Sequence, residues 1–491
     1  MSTNAETIAA VKNAQAMAKA WTAPSTATTG LQTYSLETGA KILFPVITPL
    51  LKRIPRVGGG AGIQANWRGV TGINTSGLSG GVGQGNRGGS ITTTTKEYNA
   101  VFRTLGFDDS VTYEADLAAN GFEDLKALAV MNQWKALMMY EEKTILGGNG
   151  SLSLGTTPTP TVVGSATGGA LNGTISVICV ALTAEGVQFA GGFGSLSGIS
   201  ASVTRTNADG STDSHGGGSA QKSAAATGNC GSGSVGSFTA TVTAVNGAVG
   251  YAWYWGAAGS EVLGAVTSIN SISVTAAAAG TQTAASLPSS DNSVNSLVYD
   301  GLLTQIMTSG SGSYVHRMPT GTAGTGTPLT SDGAGCIVEI DAALRSTWDL
   351  YRLSPTDIYV SSQEQKNITA KILAANANSA QRFVFNSEQG MLGGGAMTRS
   401  YYNPYSMDGA VEIPIRLHPN LPAGTILFYC DNLPYPLSNV SNVLQIKARR
   451  DYYGIDYPIR SRKYEYGVYT DSVLQNYFPP AFGVITNIAN G

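Results

Sequence analysis

The sequence predicts an α+β protein in which an all-β domain is inserted into a body of mixed helices and strands. Three observations support this fold class. A long helical pattern covers residues 119–147, residues 151–290 carry only six charged side chains, and helical and strand patterns alternate from about residue 295. Such shifts in composition and pattern mark domain boundaries.

The composition limits the classes of function. Charged residues make up 12% of the 491 residues, whereas about 25% is usual, and 62 residues are Gly. The net charge of -2 excludes a uniformly basic nucleic-acid-binding protein. A wall that faces packed DNA is still compatible with this charge, because counterions can neutralise the DNA.

The N-terminus lacks a basic region followed by an apolar core, and no run of about 18 apolar residues occurs. We therefore expect neither a signal peptide nor a membrane span. We expect the protein to be made and kept in a cytoplasm. The four cysteines and three histidines have no metal-ligand spacing, so we expect no metal and no cofactor.

The first hundred residues predict two extended segments. Residues 1–20 have a short helical pattern. Residues 42–51 are apolar but contain two prolines, which favours an extended arm that docks on other elements. Residues 57–90 contain thirteen Gly and no Lys, Asp or Glu, between strand-like segments at 63–70 and 91–102. This pattern predicts a long β-hairpin. Because an isolated hairpin is marginal in water, we expect it to lie on a neighbouring subunit.

The long helix is predicted to begin at Asn120 as N-cap and to end in a left-handed cap at Gly147-Gly148. Glu141 and Glu142 are adjacent near its end. Since adjacent helical side chains diverge, they cannot serve as a paired acid and base on one substrate. Solvated or salt-bridged carboxylates are predicted instead.

Residues 151–290 predict a β-sandwich, with strands at 174–182, 238–245, 251–255 and 271–275. Tyr251, Trp253 and Trp255 alternate onto one face of a half-buried strand. Residues 206–236 are of low complexity and predict a mobile loop. Later residues predict helices at 297–307, around Ile340 and Leu344, and at 363–375. Strands are predicted at 358–360, 382–385, 411–417, 425–429, 464–469 and 482–488.

Motifs of catalysis are weak or missing. The segment Gly83–Gly88 matches G-x-G-x-x-G, but a Thr-rich strand follows it where a dinucleotide site needs a helix, which favours a hairpin tip. No phosphate-binding loop, zinc-protease motif or nucleophile elbow occurs, and no enzyme is expected. Basic side chains are candidates for contacts with acidic neighbours or packed DNA, or for solvated strand edges. They are Lys52, Arg53, Arg56, Arg68, Arg87, Lys447, Arg449, Arg450, Arg460, Arg462 and Lys463.

The order of arm, hairpin, long helix, Gly-rich exit, α/β segment and final strands resembles the major capsid proteins of tailed bacteriophages, the Hong Kong ninety-seven type of shell fold. Four segments are similar to that family: 111–117 before the helix, 140–150 at its end, 355–361, and 421–428. Asn149 stands where family members often have Asp. The run at 250–256 resembles phage immunoglobulin-like modules, whose aromatic residues could fill the domain core or stack on glycans.

The resemblance implies a division of the chain into six parts: an N-terminal arm (1–56), an extended hairpin loop (57–110), a peripheral domain with a spine helix (111–150), an immunoglobulin-like insertion (151–290), an axial domain (291–440) and return strands (441–491). It also implies self-assembly into pentamers and hexamers of an icosahedral head that encloses double-stranded DNA. Expected partners are a separate scaffolding protein, a portal, possible decoration proteins and the DNA, with no membrane.

Two alternatives remain at this point. An encapsulin-type compartment would use the same fold around a cargo enzyme, and a cell-surface adhesin would use the immunoglobulin-like module. Some members of the capsid family join subunits through a Lys on the hairpin loop. Here residues 57–95 contain no Lys and Lys96 lies on the returning strand, so we expect no isopeptide network.

Overall fold

The computed structural model describes residues 9, 12, 43–119, 123–207, 209–287, 289–374, 397–406, 409 and 411–491. The described residues form several β-sheets and fewer helices than strands, which confirms the predicted mixed α+β class. The helical pattern at 1–20, apart from residues 9 and 12, and the strand predicted at 382–385 lie outside the described residues.

The helices with defined bounds are α1 (Pro49–Arg53), α2 (Tyr113–Ala119), α3 (Leu125–Gly147), α4 (Ala184–Phe189), α5 (Leu302–Met307), α6 (Val338–Tyr351) and α7 (Ser362–Ala374). The strands are β1 (Arg56–Val57), β2 (Gln64–Ile73), β3 (Thr93–Val101), β4 (Arg103–Thr112), β5 (Thr161–Ser165), β6 (Thr174–Leu182), β7 (Ser202–Thr206), β8 (Thr212–Gly216), β9 (Ala226–Asn229), β10 (Ser237–Thr241), β11 (Gly250–Gly256), β12 (Val262–Thr267), β13 (Ser271–Val274), β14 (Tyr314–Arg317), β15 (Asp357–Val360), β16 (Ser400–Asn403), β17 (Val411–Leu417), β18 (Ile426–Tyr429), β19 (Leu444–Asp456), β20 (Lys463–Asn476) and β21 (Gly483–Thr486).

The arm differs from its prediction at one point. Instead of staying extended, it forms the short helix α1, which begins at Pro49. Proline suits the first helical position, because a backbone N–H there would have no partner within the helix. Leu50 on this helix is fully buried, which agrees with the predicted docking of the arm.

The long helix begins later than predicted. Its N-cap is Asp124, whose carboxylate accepts hydrogen bonds from the N–H groups of Lys126 and Ala127. The predicted left-handed cap is wrong, because Gly148 has φ −57°. Glycine is required there for another reason: a Cβ would lie 2.6 Å from the Tyr299 carbonyl oxygen.

Helix α3 packs on a four-stranded sheet of order β1-β19-β20-β4. Gln133 donates from Nε2 to the Tyr466 carbonyl oxygen at 2.9 Å, and Trp134 meets the Tyr452 ring edge-on. Strand β4 pairs with β20 along its whole length, from Arg103 opposite Ser472 to Thr112 opposite Lys463. The sheet therefore joins the start of the body to its end.

The hairpin consists of the antiparallel pair β2 and β3, which share no sheet with the rest of the described chain. Its tip covers residues 74–92 and includes Gly83–Gly88, without a following helix. The predicted hairpin and its glycine-rich tip are thus present in the structure.

Two sheets face each other in residues 151–290, with the orders β13-β10-β5 and β12-β11-β6-β9. Three predictions for this segment are wrong in part. It contains the helix α4, and residues 206–236 contain strands β8 and β9. Strand β11 is buried on both faces, because one face meets the second sheet and the other joins the core of the body.

A six-stranded sheet of order β14-β21-β18-β15-β17-β16 completes the body. Helices α6 and α7 pack on it through a cluster that includes Ile340, Leu344 and Ile358. The insertion contacts this sheet at the end of β21. There the N–H of Asn270, in the insertion, donates a hydrogen bond to Asn487 Oδ1 at 2.8 Å.

Candidate assembly interface

The arm is attached to the long helix α3 through Glu142. The carboxylate of Glu142 accepts hydrogen bonds from the N–H groups of Leu50 and Leu51, at 2.9 and 2.7 Å. His418 Nε2 lies 2.8 Å from the same carboxylate. Both Glu142 and His418 have fully buried side chains. These bonds place a carboxylate at the first turn of α1, where backbone N–H groups have no helical partner.

The neighbouring Glu141 holds the next part of the arm. Its Oε1 pairs with Arg56 Nη1 at 2.7 Å, and Tyr452 donates its hydroxyl to the same carboxylate. The Arg56 guanidinium also lies 4.3 Å from the centre of the Tyr452 ring and pairs with Asp451. Burial by itself would lower the pKa of Arg56, but the Glu141 carboxylate raises it above its ordinary value. Glu141 is thus salt-bridged, as one of the two predicted states required, and Glu142 is buried and hydrogen-bonded, so neither carboxylate is solvated.

Arg53 connects the arm to the six-stranded sheet. It pairs with Asp357 and Asp431, and its guanidinium lies 4.9 Å from the centre of the Tyr429 ring. Lys52, on the same helix, is exposed. Two of the three basic candidates of the arm therefore have carboxylate partners within the chain. The arm is consequently fixed to the body from residue 49 onward.

Upstream of this attachment the arm presents apolar side chains to solvent. Leu43 is 92% exposed, and Phe44 and Ile47 are more than half exposed. The hairpin has the same property at Ile63, Val70, Ile73 and Ile91, each more than half exposed. Arg68 and Arg87, the basic candidates of the hairpin, are exposed, and Arg68 donates to Thr95 Oγ1 at 3.0 Å.

The C-terminal basic candidates are spread along β19, β20 and the turn between them. Arg449 pairs with Asp471, Arg462 with Glu114, and Lys463 with Glu465. Arg450 lies over the Tyr453 ring, Arg460 is exposed and Lys447 is half-buried. They do not converge on one site. Their expected contacts with neighbouring subunits or DNA remain predictions.

The aromatic residues of β11 belong to the core of the insertion. Trp253 is fully buried and donates from Nε1 to Thr267 Oγ1 at 2.9 Å. Trp255 donates to the Ala276 carbonyl oxygen, and the Tyr251 hydroxyl accepts the Val245 N–H. With their polar atoms paired and their rings between two sheets, these three side chains do not form a glycan-stacking surface.

Sequence reasoning missed the partners of Glu141 and Glu142. His418 and Tyr452 lie far along the chain and carry no local motif. The available signal was the placement of two acidic residues at the apolar, glycine-rich end of a helix, where a solvated carboxylate is unexpected.

Over the described residues, no group of three or more His, Cys, Asp or Glu side chains is arranged to hold a metal ion. Within that same part of the chain, no helix has both the length and the apolar character needed to cross a bilayer.

No protein-family model matches the chain, and a search of curated proteins found no significant match. Three solved structures are similar to it at a TM-score of 0.40. They are the capsid of a native GTA particle (8% identity, covering 94% of this chain and 96% of that one), the SrpI encapsulin of Synechococcus elongatus PCC 7942 (8%, 93% and 93%) and the capsid of Myoviridae phage XM1 (10%, 95% and 100%).

Proposed function

We propose that this chain is the major capsid protein of a tailed bacteriophage and assembles into the pentamers and hexamers of an icosahedral head. The observation that carries the proposal is the hairpin. It has two strands, pairs with no third strand among the described residues, and exposes apolar side chains at Ile63, Val70 and Ile73. A two-stranded hairpin gains stability in water when its apolar face is covered.

The attachment of the arm supports the same function. Residues 49–57 are fixed by Glu141, Glu142 and Asp431, whereas the apolar side chains of residues 43–47 point to solvent. Burying a Val, Leu, Ile or Phe side chain contributes roughly 1.5–3 kcal/mol. The arm and the hairpin together can therefore supply a contact that a closed symmetric assembly repeats many times.

The six parts of the chain then take the roles that the sequence implied. Residues 111–150 and 441–491 form the peripheral sheet and spine helix, and residues 291–440 form the axial domain around the capsomer centre. The insertion, which resembles an immunoglobulin-like module, braces the shell, because its sheet β12-β11-β6-β9 shares a core with the body. A separate scaffolding protein, a portal, decoration proteins and packaged DNA are the proposed partners, and the host cytoplasm is the proposed place of assembly.

Electron microscopy of the purified full-length chain, with light scattering on the same sample, tests the proposal. We expect closed particles of regular size. A compact monomer at all concentrations, in which hydrogen exchange protects the hairpin as strongly as the body, would overturn it. The test is repeated with a co-expressed scaffolding protein, since assembly without one can be slow.

The contents of the particles distinguish a phage head from an encapsulin-type compartment. Particles are isolated from infected or expressing cells, treated with nuclease and extracted. Protected double-stranded DNA of uniform length supports the head, whereas a folded enzyme held without DNA supports the compartment.

A further inference from the structure

A groove of about 700 Å³ lies between the first turns of α3 and the turn that joins β19 to β20. Val130, Met131 and Trp134 form its helix wall, and Ile459 lies on the opposite side. Met131 is 47% exposed and Ile459 is 60% exposed. The groove is therefore an apolar surface that the described part of the chain leaves open, and such a surface marks an interaction site.

The rim of the groove is acidic. Asp109 and Asp456 line it, are exposed to solvent, and form no ion pair with any described residue. The other two charged lining residues, Lys126 and Glu465, already have ion-pair partners outside the groove lining. Arg460, in the adjoining turn, is not among the lining residues. An occupant that carries positive charge beside its apolar side is therefore favoured.

The side chains of the helix wall favour a helix as the occupant. Ala127, Ala129 and Val130 give α3 short side chains where it borders the groove. Short side chains allow a second helix to approach until the two axes are about 8–10 Å apart. An amphipathic helix that lies lengthwise in a groove buries its apolar side chains there, at positions three and four residues apart.

The first twenty residues of this chain have the matching pattern. Their larger apolar residues and two alanines recur every three or four positions, as on one side of a helix. They are Ile8, Val11, Ala14 and Ala18. Lys12 and Lys19 border that side of the helix, and Glu6 is the one acidic residue of the segment. Two lysines and one glutamate give the segment a net charge of +1, opposite to that of the rim.

The position of this segment allows it to reach another molecule. Ala9 and Lys12 are the residues of the segment that the structure describes, and both are helical and exposed. Residues 21–42 separate the segment from Leu43, where the described arm begins. A chain of 22 residues can span up to about 70 Å, which exceeds the distance between adjacent subunits of this size.

We propose that the groove binds residues 1–20 of a second copy of this chain as an amphipathic helix. The apolar side of the helix lies against Met131 and Ile459, and its two lysines face the acidic rim. The inference rests on the proposed shell function, which supplies the neighbouring copy. Each copy then gives one segment and receives another, a head-to-tail contact that closes when it is repeated around a ring.

Photochemical cross-linking in assembled particles tests the proposal. Met131→p-benzoylphenylalanine places a photoreactive group in the groove. After irradiation, we expect a dimer band on a denaturing gel, with mass spectrometry locating the cross-link in residues 1–20 of the other copy. Leu350→p-benzoylphenylalanine, at a 68%-exposed position of α6 outside the groove lining, is the control and should not capture that segment.

The site of the cross-link decides between occupants. Cross-links from position 131 to the hairpin of another copy, to a different protein or to DNA would overturn the proposal. Cross-links confined to one chain, or no cross-link at all, would overturn it as well.

Charge exchange sharpens the test. Asp109→Lys combined with Asp456→Lys should reduce the dimer yield at least fivefold, because the rim then repels the lysines of the segment. Lys12→Glu combined with Lys19→Glu should do the same. All four substitutions together should restore the yield to within twofold of the parent, which a general defect in folding would not allow.

The results separate this inference from the proposed function. If the parent chain forms no particles, the proposed shell function fails and this inference fails with it. If particles form and the dimer is missing or its yield does not respond to the charge variants, only this inference fails.

Discussion

Arg56 pairs with Glu141 at 2.7 Å where the arm enters the body. The Glu141 side chain is fully buried, and that of Arg56 is 18% exposed. This pair and the adjacent bonds from α1 to Glu142 attach residues 49–57 to the long helix α3. They fix the direction from which the upstream arm leaves the molecule.

Replacing Arg56 with Met should lower the free energy of unfolding by about 3 kcal/mol, because it leaves Glu141 as an uncompensated buried charge. Denaturant unfolding of the dissociated chain measures the change. Arg345→Met removes an exposed helical ion pair and should stay within about 0.5 kcal/mol of the parent. A loss below about 1 kcal/mol at Arg56 would contradict a structural role for the pair.

Replacing Glu142 with Gln should loosen the attachment of α1. Leu50 and Leu51 donate to different oxygens of the Glu142 carboxylate, and the NH2 group that replaces one oxygen cannot accept, so that bond is lost. We expect the amide hydrogens of these two residues to exchange about tenfold faster, which corresponds to about 1.4 kcal/mol. Exchange followed by mass spectrometry is the measurement. Glu114→Gln, at an exposed site, provides the control, and equal protection in both variants would refute the attachment.

Glu364 predicts a pH dependence. Burial raises the pKa of its carboxyl to about 7, above the ordinary value of 4.5. The folded state therefore holds a proton that the unfolded state releases between pH 4.5 and 7. Its stabilising effect is complete below pH 4.5 and is lost as the pH rises through 7. Glu364→Gln mimics the protonated form. It should match the parent at pH 4.5 and exceed its free energy of unfolding by about 3 kcal/mol at pH 8.

Unfolding curves of the parent and of Glu364→Gln at the two pH values make this comparison. Taking the difference between the two proteins removes the contribution of groups whose pKa is lowered, such as Asp451. An equal difference at pH 4.5 and pH 8 would show that folding does not shift the pKa of the Glu364 carboxyl.

Trp253→Ala should destabilise the insertion by about 4 kcal/mol, because it removes a fully buried ring from between two sheets. The readouts are the unfolding midpoint and the rate of proteolytic cleavage within residues 151–290. Val163→Ala alters a 62%-exposed side chain of β5 and should change stability by less than about 0.5 kcal/mol. Similar results for the two variants would show that Trp253 does not contribute to the stability of the insertion core.

The hairpin can be tested without disturbing the body. Val70→Ser combined with Ile73→Ser should leave the unfolding of the dissociated chain within about 0.5 kcal/mol of the parent, since both side chains are exposed. Particle yield, counted by electron microscopy, should fall at least tenfold. Val163→Ser is the matched change on the insertion. Normal particles from the hairpin variant would show that its apolar surface is not used in assembly.

Much of the fold could be predicted because its elements have local signals. The glycine-rich tip between two strand-like segments predicted the hairpin, and strands β6 and β17 were predicted with their observed bounds. Strand β19 was given no bounds of its own within the predicted return strands of 441–491, because Lys447, Arg449 and Arg450 made it resemble a charged patch. Its alternating buried residues Leu444, Ile446 and Ala448 become clear once β1 and β20 flank it.

The candidate site was less predictable for a physical reason. Nothing near Glu142 in the sequence points to His418, and nothing near Arg53 points to Asp431, because the contacts form only when the sheets assemble. The double burial of β11 was missed for the same reason: a local alternation of aromatic residues does not show that both faces are covered.

The pairing of β4 with β20 has a consequence for the newly made chain. Translation must proceed about 350 residues beyond β4 before β20 leaves the ribosome, a delay of roughly 20–70 s at 5–20 residues per second. During that interval the four-stranded sheet on which α3 packs is incomplete. The four-stranded sheet can therefore be completed only when synthesis is nearly over, so its assembly is a late step in the folding of this chain.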